Sequence, residues 1–358
     1  GSTDLTFNVV FSDNRNFYLI ATDGGLLSEP FQTNRIRLST GERAEILVDF
    51  KNDSIGKELY LKSYASELPK GIIGADSVGT PDIAIGEGYY SNPLNGLDFD
   101  LLRLDIENAT INPVVNIPAK FKNLPLFDTT GVDAYRTIHF TADTSDFGEQ
   151  ALVDGPFKMN GKSFHMDSVN IITYLGNKEI WTLVNSTMVA HPFHIHDIQF
   201  NVLDINGAVP PPQYQGWKDV ILVKPNDTVR FITRFDNFSN KTVPYMFHCH
   251  LLHHEDEGMM GSFLVLDTSL TAIPRLYTDF GIEIFPNPSS GHWILTRPEL
   301  GDQLDLELHD CQGRLMRQFS MDIDSKTVEI STSSLSAGIY TLNIKSKNNH
   351  QILKLIKN

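Results

Sequence analysis

The sequence predicts an all-β protein built from β-sandwiches, and three observations support this fold class. Short runs of β-branched and aromatic residues recur along the chain, such as NFYLIAT (16–22), EIWTLVN (179–185) and DTVRFITRF (227–235). Gly, Pro, Asn and Asp interrupt these runs at close intervals, as they do at turns between strands. Long amphipathic helical stretches do not alternate with the runs, which argues against a parallel α/β sheet.

The 358 residues are enough for two or three domains of ordinary size. Residues 107–131 are rich in Asn and Pro and have little periodicity, which predicts a linker over the surface. A second linker is predicted at residues 268–281, after which a new set of strands begins. Three units are therefore expected, at residues 1–106, 132–267 and 282–358.

The acidic composition limits the partners that the chain can have. Its 44 Asp and Glu residues outnumber the 29 Lys and Arg residues, and the net charge of −15 would repel nucleic acids and anionic lipids. No apolar stretch approaches the roughly 20 residues that span a bilayer. We therefore expect neither nucleic-acid binding nor a membrane-spanning segment. The opening GSTDLTFNVV lacks the plan of a signal peptide, and we do not expect it to be a natural beginning.

Histidines cluster in two short segments, HPFHIH (191–196) and HCHLLHHEDEGMM (248–260). A lone histidine is more often a core or surface residue than a ligand, and we expect His253 at the surface. So many imidazoles beside a thiol and a thioether nevertheless indicate bound metal.

Side chains of a β-strand alternate between its two faces, and this sorts the candidate ligands. In HPFHIH, His194 and His196 share one face, and His191 falls on the other if the strand is regular. In His-Cys-His, the cysteine points away from the two flanking histidines. If the two strands are neighbours, two donor sets form back to back. The first, here named the thiolate set, contains His191 and Cys249, and the following loop can complete it with His254 and Met259. The second, here named the imidazole set, contains His194, His196, His248 and His250.

The two sets have different chemistry. The thiolate set has the donors of a blue-copper site, namely two His, a Cys thiolate and a weak axial Met. Zinc is the second choice, since structural zinc sites are closed Cys/His tetrahedra without a thioether. The imidazole set suits a cluster of copper ions that meets dioxygen. A disulfide between Cys249 and Cys311, the two cysteines of the chain, is the less favoured alternative.

These motifs resemble a known family. HPFHIH, followed by His-Cys-His, three residues, His, four residues and Met, resembles the third cupredoxin domain of multicopper oxidases. FSDNRNFYLIATDGGLL (11–27) and GERAEILVDF (41–50) resemble the middle domain. FKMNGKSFHMD (157–167) and GWKDVILV (216–223) resemble bacterial copper-efflux oxidases. The resemblance implies cupredoxin-like Greek-key β-sandwiches.

The resemblance also assigns a role to each candidate ligand. The type 1 copper ligands would be His191, Cys249, His254 and Met259. The ligands of the trinuclear cluster would be His194 for type 2 copper and His196, His248 and His250 for type 3 copper. Glu255 matches the family's proton relay, although a solvated acidic turn explains it equally well.

A laccase-like enzyme follows from this resemblance. A small-molecule reductant would dock against the edge of His254. Cys249 would pass its electrons to His248 and His250, and dioxygen would be reduced to water. Phenols, aromatic amines, bilirubin-like pigments and Cu(I) are the candidate reductants. Organic reductants are favoured over Cu(I), because residues 127–157 contain no methionine cluster and Val189 stands where cuprous oxidases carry a methionine.

The resemblance is incomplete at the amino-terminal side. Family members take half of the trinuclear ligands from a first domain with two further His-x-His motifs, and no such pair precedes residue 191. The opening GSTDLTFNVVFSDNR resembles the interior of a second domain. We therefore expect a partial second cupredoxin domain at 1–106 and the third at 132–267. We also expect type 1 copper in this chain, an incomplete trinuclear cluster, and no reaction with dioxygen by the chain alone.

Two other functions are weighed against the oxidase. A non-catalytic, secreted copper-binding protein would use the same ligands without turnover. A copper nitrite reductase shares cupredoxin domains, but it does not explain a cysteine flanked by two histidines.

The carboxy-terminal residues 282–358 predict a small β-sandwich, because turn motifs such as PNPSSG and DCQG separate its strands. The order of PNP, D-x-x-G, LSAGIY and a lysine-bearing last strand resembles the type A sorting domain of the type IX secretion system. It implies an immunoglobulin-like sandwich that binds an outer-membrane translocon. The protein would then be secreted, or held at the surface, by a Gram-negative cell after periplasmic transit. We expect Cys311 to be a small buried residue.

Overall fold

The structure of the chain is a computed structural model. The structure describes residues 2–76, 92–112, 116–121, 125–267, 282–297, 302–347 and 350–358. The predicted linker at 268–281 lies outside these residues, as do positions 113–115 and 122–124 of the linker predicted at 107–131. The chain divides into two compact units, Gly1–Asp267 and Thr268–Asn358. Strands and their connections dominate both units, which confirms the all-β prediction.

The amino-terminal part of the first unit contains two small sheets. Its strands are β1 (Phe7–Phe11), β2 (Phe17–Thr22), β3 (Gly25–Thr33), β4 (Ile36–Leu38), β5 (Glu45–Leu47), β6 (Glu58–Ser63) and β7 (Phe99–Asp105), and a 3₁₀ helix spans Ala65–Glu67. The sheet orders are β4-β1-β6-β7 and β3-β2-β5. Val9 and Phe11 from one sheet and Phe17 and Leu19 from the other share one buried cluster, as period-two alternation requires.

The remainder of the first unit forms a larger sandwich. Its strands are β8 (Ala134–Ala142), β9 (Phe157–Met159), β10 (Ile171–Tyr174), β11 (Lys178–Asn185), β12 (His191–Ile195), β13 (Phe200–Ile205), β14 (Trp217–Lys218), β15 (Val220–Val223), β16 (Thr228–Arg234), β17 (Tyr245–Cys249) and β18 (Met260–Leu266). Its helices are α1 (Thr144–Phe147), α2 (Ala151–Asp154) and α3 (Leu252–Asp256), with 3₁₀ helices at Gly148–Gln150 and Pro212–Tyr214. No helix among the described residues has the length and apolar character needed to cross a membrane.

The larger sandwich has two sheets, β10-β18-β17-β12-β15 and β14-β13-β16-β11-β8-β9. Aromatic rings from both sheets meet in the core. Trp181 of β11 stacks on Phe231 of β16, with ring centroids 6.0 Å apart. It also packs edge-on against Phe247 of β17, with ring centroids 5.7 Å apart. Phe193 of β12 also lies 6.0 Å from Phe247. This core fixes the face of β12 and β17 that points inward.

The two parts of the first unit contact each other through a small apolar cluster. Ala65, Leu68 and Ile72 pack with Ala190 and Leu222. The predicted division at 1–106 and 132–267 thus falls inside one compact unit, and as a division into separate domains it stays a prediction. Within the predicted linker, the Phe127 ring packs edge-on against Trp217 at 5.0 Å.

The second unit is a small antiparallel sandwich with its own core, as the sequence predicts. Its strands are β19 (Glu283–Phe285), β20 (His292–Thr296), β21 (Leu304–Asp310), β22 (Leu315–Met321), β23 (Thr327–Ser331), β24 (Gly338–Lys345) and β25 (His350–Lys357). The sheet orders are β19-β20-β23 and β22-β21-β24-β25. The core includes Trp293, Leu306 and Leu342.

Cys311 corrects one expectation. It is exposed rather than buried, and neither cysteine forms a disulfide. The reason is local, because Cys311 lies in the tight turn between β21 and β22. Asp310 closes this turn by accepting a hydrogen bond from the Gln312 N–H, and Gly313 has a φ of +78°.

Candidate metal centre

Antiparallel pairing of β12 with β17 brings the two histidine segments together, which confirms that they lie on neighbouring strands. Phe193 lies opposite Cys249 and His194 lies opposite His248. Because side chains alternate, Phe193 and Cys249 face the aromatic core and the paired histidines face away from it. The two predicted donor sets therefore form on opposite sides of the same strand pair.

Three donor atoms of the thiolate set converge. Nδ1 of His191 lies 3.1 Å from Nδ1 of His254, and Sγ of Cys249 lies 3.7 Å and 3.5 Å from these two nitrogens. The point equidistant from the three atoms is about 2 Å from each, close to metal–imidazole and metal–thiolate bond lengths. All three side chains are 0% exposed. The donors present thus fit a metal ion in spacing and in chemistry.

Met259, the fourth predicted member, belongs to the same buried cluster as Cys249. The Cys249 N–H donates to the Met259 carbonyl at 3.0 Å, and the Met259 N–H donates to the His254 carbonyl at 2.8 Å. The turn after α3 therefore folds back beside the thiol. Two imidazoles, a thiol and a thioether in one apolar region form the donor combination that is typical of blue-copper sites.

A buried hydroxyl orients His191. Oγ1 of Thr187 lies 2.8 Å from His191 Nε2 and 2.8 Å from Asn185 Oδ1. Asn185 Oδ1 can only accept, so the hydroxyl donates to it and accepts the Nε2–H of His191. Nδ1 of His191 is then left without a proton and faces Cys249. Phe157 covers the pair of imidazoles. The centroid of its ring lies 4.7 Å from that of His191 and 4.5 Å from that of His254.

Burial controls protonation in the thiolate set. It lowers the pKa of His191 to about 3 and holds the pKa of His254 well below its usual range. Both imidazoles are therefore neutral near pH 7, which is the form that binds metal. Burial raises the pKa of the Cys249 thiol, so metal binding has to release the thiol proton.

The imidazole set is more open. Donor atoms of His194, His196 and His248 lie within 4.8 Å of one another, and Nε2 of His196 is 3.3 Å from Nε2 of His248. This separation suits two imidazoles that are each about 2 Å from one ion. The centroid of the His250 ring lies 5.5 Å from the ring centroids of both His194 and His248. A cavity of about 740 Å³ adjoins His194 and His196.

Hydrogen bonds at Nδ1 orient two members of the imidazole set. His194 Nδ1 lies 2.8 Å from the carbonyl oxygen of Asp219. His248 Nδ1 lies 2.9 Å from the Cys249 carbonyl and 3.1 Å from Oε2 of Glu255. Oxygen acceptors at Nδ1 leave Nε2 of each ring for a metal ion. Burial lowers the pKa of His194 to about 4, although the Asp219 carbonyl opposes this shift.

One expected contact is wrong in this structure. His254 is fully buried beneath Phe157, so a reductant cannot touch the edge of its imidazole. The sequence does not show this cover, because Phe157 is distant from His254 along the chain. His253 is partly exposed and pairs with Glu257 at 3.1 Å, as expected for a surface residue.

Two contributions to the site were missed from the sequence. Asp219 orients His194 through its backbone carbonyl, which leaves no residue-type signal. Gly41 lies against His250, but the GERAEILVDF segment that contains it carries only a family resemblance in the sequence and no sign of this contact. The Gly41 contact depends on packing between the two parts of the first unit, whereas the Asp219 contact follows from the pairing of β12 with β15.

Residues 136–269 match the multicopper oxidase family, and residues 283–358 match the secretion system C-terminal sorting domain family. A laccase of Bacillus stratosphericus is 27% identical over 277 residues, which cover 72% of this chain and 48% of that protein. A bilirubin oxidase of Albifimbria verrucaria is 28% identical over 297 residues, which cover 80% of this chain and 44% of that protein. The chain thus spans about half the length of these relatives.

Solved structures of multicopper oxidases are also similar to this chain. A laccase-like multicopper oxidase from Ochrobactrum sp. has a TM-score of 0.59 at 29% identity, covering 74% of this chain and 53% of that one. The McoA multicopper oxidase of Aquifex aeolicus has a TM-score of 0.59 at 26% identity, with the same two coverages. These relatives imply copper as the metal. The chain therefore carries a multicopper oxidase domain, followed by a C-terminal sorting domain of the type IX secretion system.

Proposed function

We propose that this chain provides the type 1 copper site and part of the trinuclear copper site of a secreted, laccase-like oxidase. The observation that carries the proposal is the position of Cys249 between the two donor sets. Its sulfur belongs to the buried thiolate set, while its neighbours His248 and His250 belong to the imidazole set. One residue thereby links both sets covalently.

Copper would supply one-electron transfer at His191, Cys249, His254 and Met259, and dioxygen reduction at the imidazole set together with histidines from outside this chain. The chain's own residues prepare both places. Burial and the Phe157 ring exclude water from the thiolate set, and Thr187 holds His191 with Nδ1 toward the thiol. Asp219 keeps His194 with Nε2 available.

Glu255 is the proposed carrier of protons to the imidazole set. Its Oε2 lies 3.1 Å from His248 Nδ1, and its side chain is 31% exposed, so the carboxylate connects solvent to the set. Reduction of dioxygen to water consumes protons, which a positioned carboxylate can deliver. In the complete enzyme, Glu255→Gln should slow dioxygen reduction and change its pH profile, while Glu257→Gln should alter neither. Unchanged turnover and pH profile in Glu255→Gln would favour the solvated-turn alternative.

An organic molecule is the proposed reductant. Residues 127–157 contain no methionine, and Met188, which lies near the thiolate set in sequence, packs against the apolar core. Relatives named laccase and bilirubin oxidase support the same class. Turnover of a phenol and of Cu(I) by the complete enzyme should be compared. A strong preference for Cu(I) would contradict this proposal.

Copper loading of the present chain tests the oxidase proposal. The expected result is an intensely blue protein with a type 1 paramagnetic signal and no oxygen uptake. Adding a domain with two His-x-His motifs should raise the copper content to four ions per molecule and start oxygen uptake. A colourless copper-loaded chain would contradict the type 1 assignment, and oxygen uptake by the chain alone would contradict the shared cluster.

A non-catalytic copper-binding role is the second candidate. The converging donors of the thiolate set support it, because binding of one copper ion there needs no contribution from the imidazole set. Copper binding without oxygen uptake, even after addition of the His-x-His domain, would select this role.

Residues 282–358 are proposed to direct export through the type IX outer-membrane translocon of a Gram-negative cell. The match of residues 283–358 to the secretion system C-terminal sorting domain family supports this, and so does the separate core of the second unit. A fusion of residues 268–358 to an inert reporter should reach the medium or the cell surface in a competent host. Retention of the reporter in the periplasm would contradict the proposal.

A further inference from the structure

The turn between β4 and β5 reaches from the amino-terminal part of the first unit to the imidazole set. Gly41 in this turn lies against His250. A Cβ atom at position 41 would be 2.4 Å from Cδ2 and 2.8 Å from Nε2 of that ring. Gly41 also has a φ of +83°, which favours glycine. The close approach leaves the His250 ring little room to rotate.

The same turn acts on His194 through Asp219. The guanidinium of Arg43 binds both carboxylate oxygens of Asp219, at 2.6 Å and 2.7 Å. It also donates to the carbonyls of Gly41 at 2.8 Å and Asp23 at 3.0 Å. The Asp219 carbonyl is the acceptor for His194 Nδ1. Arg43 thus holds the residue that orients His194.

A buried ion cluster fixes the turn in place. Nζ of Lys218 lies 2.8 Å from Asp23 Oδ2 and 3.1 Å from Glu42 Oε1, and all three side chains are at most 2% exposed. Burial lowers the pKa of Lys218, but the charges of Glu42 and Asp23 outweigh this effect and raise it overall. The second carboxylate oxygen of Glu42 accepts hydrogen bonds from the Ser39 N–H and hydroxyl, at 2.9 Å and 2.8 Å.

We infer that the turn Ser39–Arg43 is a positioning element for the imidazole set. Gly41 restricts the ring of His250, and Arg43 orients His194 through Asp219. The inference rests on the proposed function, in which the imidazole set holds copper. Different residues, Thr187 and Phe157, orient and cover the thiolate set, so a change in the turn should affect one set and spare the other.

Copper binding to the chain with Cys249→Ser tests the role of Gly41, because this background removes the thiolate set. Gly41→Ala should weaken Cu²⁺ binding to the imidazole set by about 10- to 100-fold and change its paramagnetic spectrum. Gly56→Ala is the matched control, since Gly56 has a φ of +84° with no atom near its Cβ position. With Cys249 present, Gly41→Ala should keep the blue absorption.

The two glycine variants separate positioning from backbone strain. Equal Cu²⁺ affinities of Gly41→Ala and Gly56→Ala would overturn the inference. Equal loss of Cu²⁺ from both donor sets in Gly41→Ala would overturn it as well, because it would show general misfolding.

Arg43 is tested without metal. Nitrogen NMR of the metal-free chain should show His194 as the Nδ1–H tautomer, and Arg43→Gln should disturb this signal. Arg103→Gln is the control, because Arg103 is equally exposed and pairs with Glu58 and Asp105. An unchanged His194 tautomer in Arg43→Gln would overturn the role of Arg43. If the chain fails to bind Cu²⁺ at the imidazole set even after addition of the His-x-His domain, the proposed function fails, while the NMR result still decides whether the turn positions His194.

Discussion

At the residue scale, the surroundings of the buried Cys249 thiol indicate a metal ligand and not an ordinary core residue. It lies in the apolar core, yet two imidazole nitrogens approach its sulfur to 3.5 Å and 3.7 Å. An apolar core residue has no need of such neighbours. The apolar surroundings raise the pKa of the thiol, and a bound cation would reverse this effect by stabilising the thiolate.

Replacement of this sulfur gives the first prediction. Cys249→Ser should abolish the blue absorption and the type 1 paramagnetic signal of the copper-loaded chain, because a serine hydroxyl stays protonated and cannot replace the thiolate. Cys311→Ser is the matched control and should keep both signals, since Cys311 is exposed in a turn of the second unit. Retention of blue colour by Cys249→Ser would show that the sulfur is not a ligand.

Thr187 gives the second prediction. Thr187→Val keeps the shape of the side chain but leaves the Nε2–H of His191 buried without an acceptor, which should cost about 1–3 kcal/mol of folding stability. Thr187→Ser keeps the hydroxyl and should therefore lose much less folding stability than Thr187→Val. Urea unfolding of the metal-free chain measures both variants. Equal stability of the valine and serine variants would show that the hydroxyl does not hold His191.

At the scale of elements, ion pairs link loops that no strand pairing connects. Arg15, in the connection between β1 and β2, binds Asp13 at 2.7 Å and both carboxylate oxygens of Asp53, beyond β5, at 2.7 Å. The guanidinium of Arg15 lowers the pKa of Asp13 to about 2 and also lowers that of Asp53. These contacts stabilise the fold only while the carboxylates are charged.

The sign of the third prediction follows from these lowered pKa values. A carboxylate whose pKa is lower in the folded chain stabilises it above the ordinary value near 3.8, and this contribution is lost as the pH falls towards 2. Arg15→Met should therefore reduce stability by about 1 kcal/mol at pH 6, a modest value because solvent screens Asp13. The difference from the parent should shrink as the pH falls below 3.8 towards 2. Urea midpoints across this range provide the measurement.

The control for Arg15 is an exposed ion pair. Lys51 is 73% exposed and lies 3.1 Å from Asp49, which is 60% exposed. Lys51→Met should change the urea midpoint little at any pH, because exposed pairs contribute little to stability. A pH-independent effect of Arg15→Met would instead point to lost packing of the Arg15 side chain over Phe50.

Strand periodicity explains how much of the site could be predicted. Alternation along His-Cys-His and HPFHIH separates the two donor sets, and β12 and β17 show this separation directly. What alternation cannot supply is the environment beyond those two strands. The Phe157 cover, the Asp219 carbonyl and the Gly41 contact come from segments distant in sequence. The predicted burial of Cys311 is wrong, because free cysteines are usually buried whereas the turn places this one in solvent.

At the scale of the whole molecule, the chain consists of two units with separate apolar cores. The fourth prediction is that residues 1–267 fold and bind type 1 copper without the second unit, because no member of either donor set lies beyond Met259. Circular dichroism and copper content of residues 1–267 should match those of the first unit in the full chain. Loss of the type 1 signal on truncation would show that the second unit supports the site.

The different access to the two donor sets has a kinetic consequence. A cation can reach His194 and His196 from the adjoining cavity without any rearrangement of the chain. It can reach Cys249 only after the covering residues around Phe157 have moved aside, since every donor there is closed to solvent. Uptake of added Cu²⁺ by the metal-free chain would then occur in a rapid and a delayed phase, and the appearance of blue colour would report the rate at which that cover opens.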